Sequence, residues 1–257
     1  MKVLSIARNT FKECVRDKVL YNLVVFAILI IISSLLLGGI TIGDVEQIIV
    51  NLGLSTLSIF GTLISIFIGI QLVYKEIDRK TIYSLLSKPV SRAEFIIGKF
   101  LGLSWTLAVN VAVMLAGIYG AILYLRHSVE LGDFQILLAG LVILVELMLV
   151  IAIALFFSTF STPALSALFT FCLYVLGHFN PDIRHFAAYS SSSSVRALCG
   201  VLYYVVPNFG NFGLISATAH GKPLAKQLYL YSFSYGLLYS AIVLVLAIVI
   251  FQKRNFK

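Results

Sequence analysis

KEIDRKTIYSLLSKPVSRAEFIIGK, residues 75–99, is the one long charged segment of this chain, and it sits between two apolar runs. It holds six of the nineteen Lys and Arg residues (Lys75, Arg79, Lys80, Lys88, Arg92, Lys99) and three of the eleven acids (Glu76, Asp78, Glu94). At its centre Thr81, Ile82, Leu85 and Leu86 recur at helical spacing. Pro89, which has no N–H to donate and crowds the preceding turn, stops the pattern. The segment reads as a short amphipathic helix carried on a loop between two membrane spans.

Composition sets the class around it. With 60% hydrophobic residues, 12% charged residues and a mean hydropathy of +1.01, the chain of 257 residues reads as all-α and integral to the membrane, a single domain over 1–257. The basic start runs on to Lys18, and the apolar run behind it is too long for the core of a signal peptide. That first run is expected to stay as an anchor.

A bilayer core takes about twenty apolar residues in a helix. The chain is uncharged over 19–43, 47–74, 100–125 and 227–252, and over 134–181 except for Glu146. The 134–181 block is too long for one crossing and breaks at STFSTP, 158–163, where hydroxyls and a proline favour a turn. Six spans follow.

Lys and Arg accumulate on cytoplasmic flanks. Placing the N-terminus, the 75–99 loop and the C-terminus inside gathers Lys2, Arg8, Lys12, Arg16, Lys18, the six loop cations, Lys253, Arg254 and Lys257 there. Arg126, Arg184, Arg196, Lys222 and Lys226 are left outside. The net charge of +8 is then a topology signal plus attraction to anionic lipid, and it calls for no nucleic acid.

Residues 197–221 lack any Asp, Glu, Lys or Arg and could make a seventh span. That course would carry the basic C-terminus outside, and Pro207, Gly210 and Gly213 would break the helix near its middle. A broken re-entrant hairpin within an outer loop over 180–226 is expected instead. At the other end, over 1–18, Val3, Leu4, Ala7, Phe11, Cys14 and Val15 share one helical face opposite Lys2, Ser5, Arg8, Asn9, Lys12, Glu13 and Arg16. This predicts an interfacial helix on the inner membrane surface, the alternative being a cytosolic extension of the first span.

Chemistry on this chain is sparse. There is no phosphate-binding G-x-x-x-x-G-K-[ST], and Gly221-Lys222 runs into Pro223. No H-E-x-x-H or Cys-x-x-Cys occurs, and His127, His178, His185 and His220 are scattered, so neither a metal site nor a catalytic residue is expected. Cys14, Cys172 and Cys199 fall at different depths, which argues against a disulfide. Glu146 is the one acid deep inside a predicted span; it reads either as a substrate or gating contact or as an interhelical hydrogen-bond partner. Gly98-x-x-x-Gly102 opens the third span and permits close helix approach. A partner ATPase, an ion gradient or a scaffolding role are all compatible with these residues.

The loop pattern E-x-D-R-K-T-I-x-x-L-L-S-K-P-V-S-R-x-x-F-x-x-G-K, from Glu76 through Thr81, Pro89, Arg92 and Phe95 to Lys99, resembles the cytoplasmic loop of type-2 ABC transporter permeases. The likeness extends over the chain: amphipathic start, six spans, a tight uncharged connection between spans four and five, Pro207-Asn208-Phe209 before span six, and a basic end. It is similar in particular to permeases that are separate polypeptides from their ATPase, including those of copper-enzyme maturation clusters. The resemblance implies an exporter subunit in the cell membrane, with both termini cytoplasmic. Two permease chains, expected to be a homodimer, would each contact an ATPase through a coupling helix over 78–87. ATP and Mg would sit on that ATPase, with no cofactor on this chain. Glu76, Asp78, Arg79, Lys80, Thr81, Pro89 and Arg92 would form or frame the docking contacts, with Ile82, Leu85 and Leu86 as an apolar plug. The substrate is not encoded in the pattern.

Overall fold

The computed structural model describes residues 2–16, 21, 24–25, 28–30, 32–33, 45–78, 91–127, 133–189, 192–221 and 225–253. Most of the expected first span, and all of 79–90, lie outside the described residues. The described residues are helical throughout, with no strand: α1 Lys2–Val15, α2 Val45–Asp78, α3 Arg92–Arg126, α4 Phe134–Ser158, α5 Pro163–His178, α6 Asn180–Tyr189, α7 Ser193–Val205, a 3-10 turn Phe209–Phe212, α8 Ile215–Ala219 and α9 Lys226–Lys253.

The centre of the bundle is α4. Between Gln135 and Ser158 its residues are apolar on every side apart from Glu146, as a helix must be when neighbours surround it. Helices α2, α3, α5 and α9 pack around it. Among the described residues four helices, α2, α3, α4 and α9, are long and apolar enough to cross a membrane. A fifth crossing is reached if α7 and the chain from Phe209 to Ala219 are taken together.

The break between α4 and α5 falls where the sequence puts it. Helix α4 ends at Ser158, two hydroxyls bond back onto its last carbonyls (Ser158 Oγ to Leu155 O and Thr159 Oγ1 to Phe156 O, each 2.7 Å), and Pro163 opens α5. Helix α5 itself is shorter than the span expected there. Its 16 residues rise about 24 Å, less than the roughly 30 Å of a bilayer core. It stops at His178 because the next turn of the chain is occupied. A Cβ on Gly177 would stand 2.4 Å from a Phe209 ring carbon and 2.5 Å from the Pro207 carbonyl oxygen, so only glycine admits this contact. Asn180, fully buried, then donates to the carbonyls of Tyr203 (3.2 Å) and Val206 (2.9 Å), satisfying groups that the end of α7 leaves open.

Pro207 interrupts the apolar segment as expected. The two limbs on either side, Ser193–Val205 and Phe209–Ala219, meet at a bend of 43°, a geometry that fits a broken span as well as a re-entrant loop.

The glycine pair at the start of the third span has an unexpected partner. A Cβ on Gly98 would come within 2.7 Å of Ile6 Cγ2, and one on Gly102 within 2.5 Å of the Ala7 carbonyl oxygen, so the pair is the seam on which α1 lies. The buried ridge of α1 is accordingly Ala7, Thr10 and Cys14, while Leu4, on the expected apolar face, stays 58% exposed. The ridge over Gly102 carries small side chains, Ile6 lies over Gly98, and Leu4 is turned away. Gly102→Ala should therefore lower the melting temperature of the purified chain by the equivalent of about 1–3 kcal/mol, because the clashing atom is backbone and cannot turn away. Gly120→Ala on the same helix meets nothing within 4 Å and should leave it unchanged or raise it. Equal losses at both positions would show that the seam is not the cause.

Candidate coupling surface and intramembrane polar site

At one end of the bundle the chain brings together α1, the start of α3 and the last turn of α9. Ser91 begins α3 with a reciprocal cap: its Oγ accepts from the Glu94 N–H (3.2 Å), and its own N–H donates to Glu94 Oε2 (2.8 Å). The S-x-x-E spacing that announces this cap is plain in the sequence. Arg92 reaches across to α9, donating through Nη1 to the carbonyls of Phe251 (2.8 Å) and Gln252 (2.9 Å), with its guanidinium 5.9 Å over the Phe251 ring. A cation on the open carbonyls of a helix C-terminus complements their partial negative charge. Phe95 stacks on Phe251 at 6.0 Å. One turn further, Lys99 is 1% exposed, with Nζ 3.9 Å from Glu13 Oε2 of α1 and 5.8 Å over the Phe95 ring.

The N-terminal helix, the exit of the 75–99 loop and the C-terminal helix thus share one end, as the distribution of Lys and Arg requires. Arg92, expected as a docking charge, is engaged in capping α9. Glu76 and Asp78 belong to the last turn of α2. Arg79, Lys80, Thr81, Ile82, Leu85, Leu86 and Pro89 lie outside the described residues. Beside the seam, a cleft lined by Asn9, Phe11, Lys12, Glu13, Val15 and Arg16 runs along α1.

Glu146 occupies a second site, deep in the bundle and 3% exposed. The Tyr174 hydroxyl of α5 lies beside its carboxylate, with the hydroxyls of Ser58 and Thr62 on α2 close to it. Its Oε1 lies 3.7 Å from Nε2 of His178. The His178 ring in turn lies parallel to that of Phe209, centroids 5.6 Å apart, and Phe209 is completely buried. The sequence marks Glu146 but not His178, because pairing residues 32 positions apart depends on where α5 ends. At the opposite end of α3, Arg126 pairs with Glu46 of α2 and, at 3.3 Å, with Asp133 before α4. Three long helices are joined there. No group of three or more His, Cys, Asp or Glu arranged to hold a metal occurs among the described residues.

The described residues thus form a membrane bundle with Glu146 buried in its interior and with α1, the start of α3 and the last turn of α9 meeting at one end. No curated protein matches the chain. A family model described as ABC-2 family transporter protein matches residues 4–256, nearly the whole length. The chain therefore belongs to the ABC-2 family of transporter proteins and is a multi-pass permease of that type.

Proposed function

We propose that the chain is the membrane permease subunit of an ATP-driven exporter, forming the substrate path while a separate ATPase hydrolyses ATP with Mg. The observation that carries this reading, beyond family membership, is the meeting of α1, residues 91–99 and the end of α9 at one end of the bundle. A load applied to the loop over 78–92 reaches α3 directly and α9 through Arg92, and α1 lies clamped on α3 beside the same point. In this reading Glu76, Asp78, Arg79, Lys80 and Thr81 contact the ATPase, with Pro89 ending the docking helix. Ile82, Leu85 and Leu86 fill an apolar cleft on it. Arg92 contributes by holding α9 to the start of α3. The cleft along α1, with charged and apolar side chains in its lining, supplies a further contact for the ATPase. Two permease chains pair as a homodimer in the cell membrane, with six spans each and both termini cytoplasmic, and Glu146 acts as a gating contact.

Reconstitution of the purified chain with the ATPase encoded beside it tests the assignment. ATP hydrolysis by the ATPase should rise on adding the permease, and vesicles holding both should transport. Transport by the permease alone under an ion gradient would move the chain to the secondary carriers.

Topology is checked separately. In a Cys-free background, Ser192→Cys should react with a membrane-impermeant maleimide on intact cells, and Ser87→Cys only after permeabilisation. The opposite pattern would overturn the six-span arrangement.

A further inference from the structure

The contacts of His178 leave a proton to be accounted for. Its Nδ1 lies 3.2 Å from the Tyr174 carbonyl oxygen. A carbonyl only accepts, so Nδ1 carries a hydrogen, and Nε2 of the neutral ring is then a bare lone pair. That lone pair faces Glu146 Oε1 at 3.7 Å, and Oε1 has no hydrogen-bond partner among the described residues. Two acceptors confront each other, the carboxylate buried and the imidazole partly exposed, and the arrangement is favourable when one further proton lies between them, on the carboxyl or on the imidazole.

Other groups do not supply that proton. Tyr174 of α5 is the titratable side chain beside the carboxylate, and Oε1 takes no hydrogen bond from it. From α2, Ser58 and Thr62 are the facing polar groups, and neither is charged. On α9, Tyr235 accepts from the Asn208 N–H (2.7 Å) and Tyr239 donates to the Val205 carbonyl (2.6 Å). The described charged groups of α3, Arg92, Glu94, Lys99 and Arg126, lie in its first and last turns or one turn inward, engaged as described above. Glu46 of α2 is in the first turn, with Arg126. The Phe209 turn brings only its ring to the pair.

We propose that Glu146 and His178 form a one-proton site that latches the Phe209 turn to the bundle. With the proton held between Oε1 and Nε2, His178 is fixed to α4 and offers a flat face on which Phe209 is seated. When a base in solution takes the proton, the carboxylate and the imidazole lone pair repel each other. His178, whose side chain is 42% exposed, swings from α4, and Phe209 loses its seat. Phe209 and Pro207 also rest on Gly177, one residue before His178, so movement there is felt directly in the break between α7 and α8. The latch extends the gating role of Glu146 given above, and its test needs no ATPase, so its failure leaves the coupling assignment standing.

The test uses the full chain in lipid nanodiscs, with the three native cysteines replaced. Leu214, just past the turn, is 6% exposed, and its neighbour Gly213 is exposed. The rate of maleimide labelling at Leu214→Cys, divided by that at Gly213→Cys, cancels the common dependence of thiol reactivity on pH. This ratio should rise about five- to tenfold between roughly pH 6 and pH 9, the low end of coupling between linked sites. In Glu146→Gln the amide N–H supplies the missing donor permanently, so the ratio should stay low at every pH. His178→Phe keeps a ring for Phe209 to stack on but has no nitrogen, and its ratio should lack the rise. Nitrogen-15 spectra of labelled histidine should show the Nδ1–H tautomer for His178 in the neutral state. A flat ratio in the parent chain, a rise preserved in Glu146→Gln, or an Nε2–H tautomer for neutral His178 would each overturn the proposal.

Discussion

Replacing Leu85 and Leu86 together by Asp should abolish co-purification of the chain with its ATPase while leaving membrane insertion intact. Each leucine that fills an apolar cleft contributes about 1.5–3 kcal/mol of burial, and an aspartate in its place adds the cost of desolvating a charge. The pair therefore loses on the order of 3–6 kcal/mol, which lowers affinity by a factor of roughly a hundred or more. Insertion survives because neither residue belongs to an apolar run long enough to span. The measurement is a pull-down from co-expressing cells, with the ATPase activity of the purified mixture as a second readout. Undiminished capture with full stimulation of ATP hydrolysis would remove the coupling role from 78–92. Loss of the permease from the membrane fraction would show that the loop serves folding instead.

Glu146→Lys should be the most damaging single substitution inside the bundle, and Glu146→Gln among the mildest at that position. The carboxylate is buried beside the Tyr174 hydroxyl and faces Nε2 of His178. Lysine sets an unpaired cation in a site 3% exposed, at a cost of about 3–5 kcal/mol. Glutamine keeps the shape and an acceptor oxygen, with a loss of about 1 kcal/mol. Melting of the detergent-solubilised variants, together with the yield of monodisperse protein, measures the difference. Equal melting of the two variants would mean that the side chain at position 146 reaches water.

Much of the architecture was legible because a membrane constrains sequence so strongly. Apolar runs near twenty residues mark the helices, and the structure returns α2, α3, α4 and α9 in four of them. The hydroxyls and proline of 158–163 mark the connection between α4 and α5, and Pro207 marks the break before α8. Local chemistry suffices in each case, since a proline without an N–H interrupts a helix whatever surrounds it. The candidate site was legible only by halves. Glu146 stands out because a carboxylate in an apolar run is costly. His178 does not, because a histidine near the end of a predicted span is unremarkable until its neighbour is known.

What the sequence determined by itself is the membrane-embedded helical class, the helix boundaries set by proline and hydroxyls, and the single loop where charge collects. The tertiary structure decided which surfaces meet. Gly98 and Gly102 announce close packing without naming the partner, and it is α1 that fits them, with Thr10 inside and Leu4 outside. Arg92 reads as a loop charge, yet the open carbonyls of Phe251 and Gln252 claim it. Helix α5 ends short of a full span because Phe209 and Pro207 occupy the space beside Gly177, and that ending sets His178 against Glu146. Such choices depend on shape complementarity and on unsatisfied backbone groups brought near by distant parts of the chain. Residue order carries neither until the helices have packed.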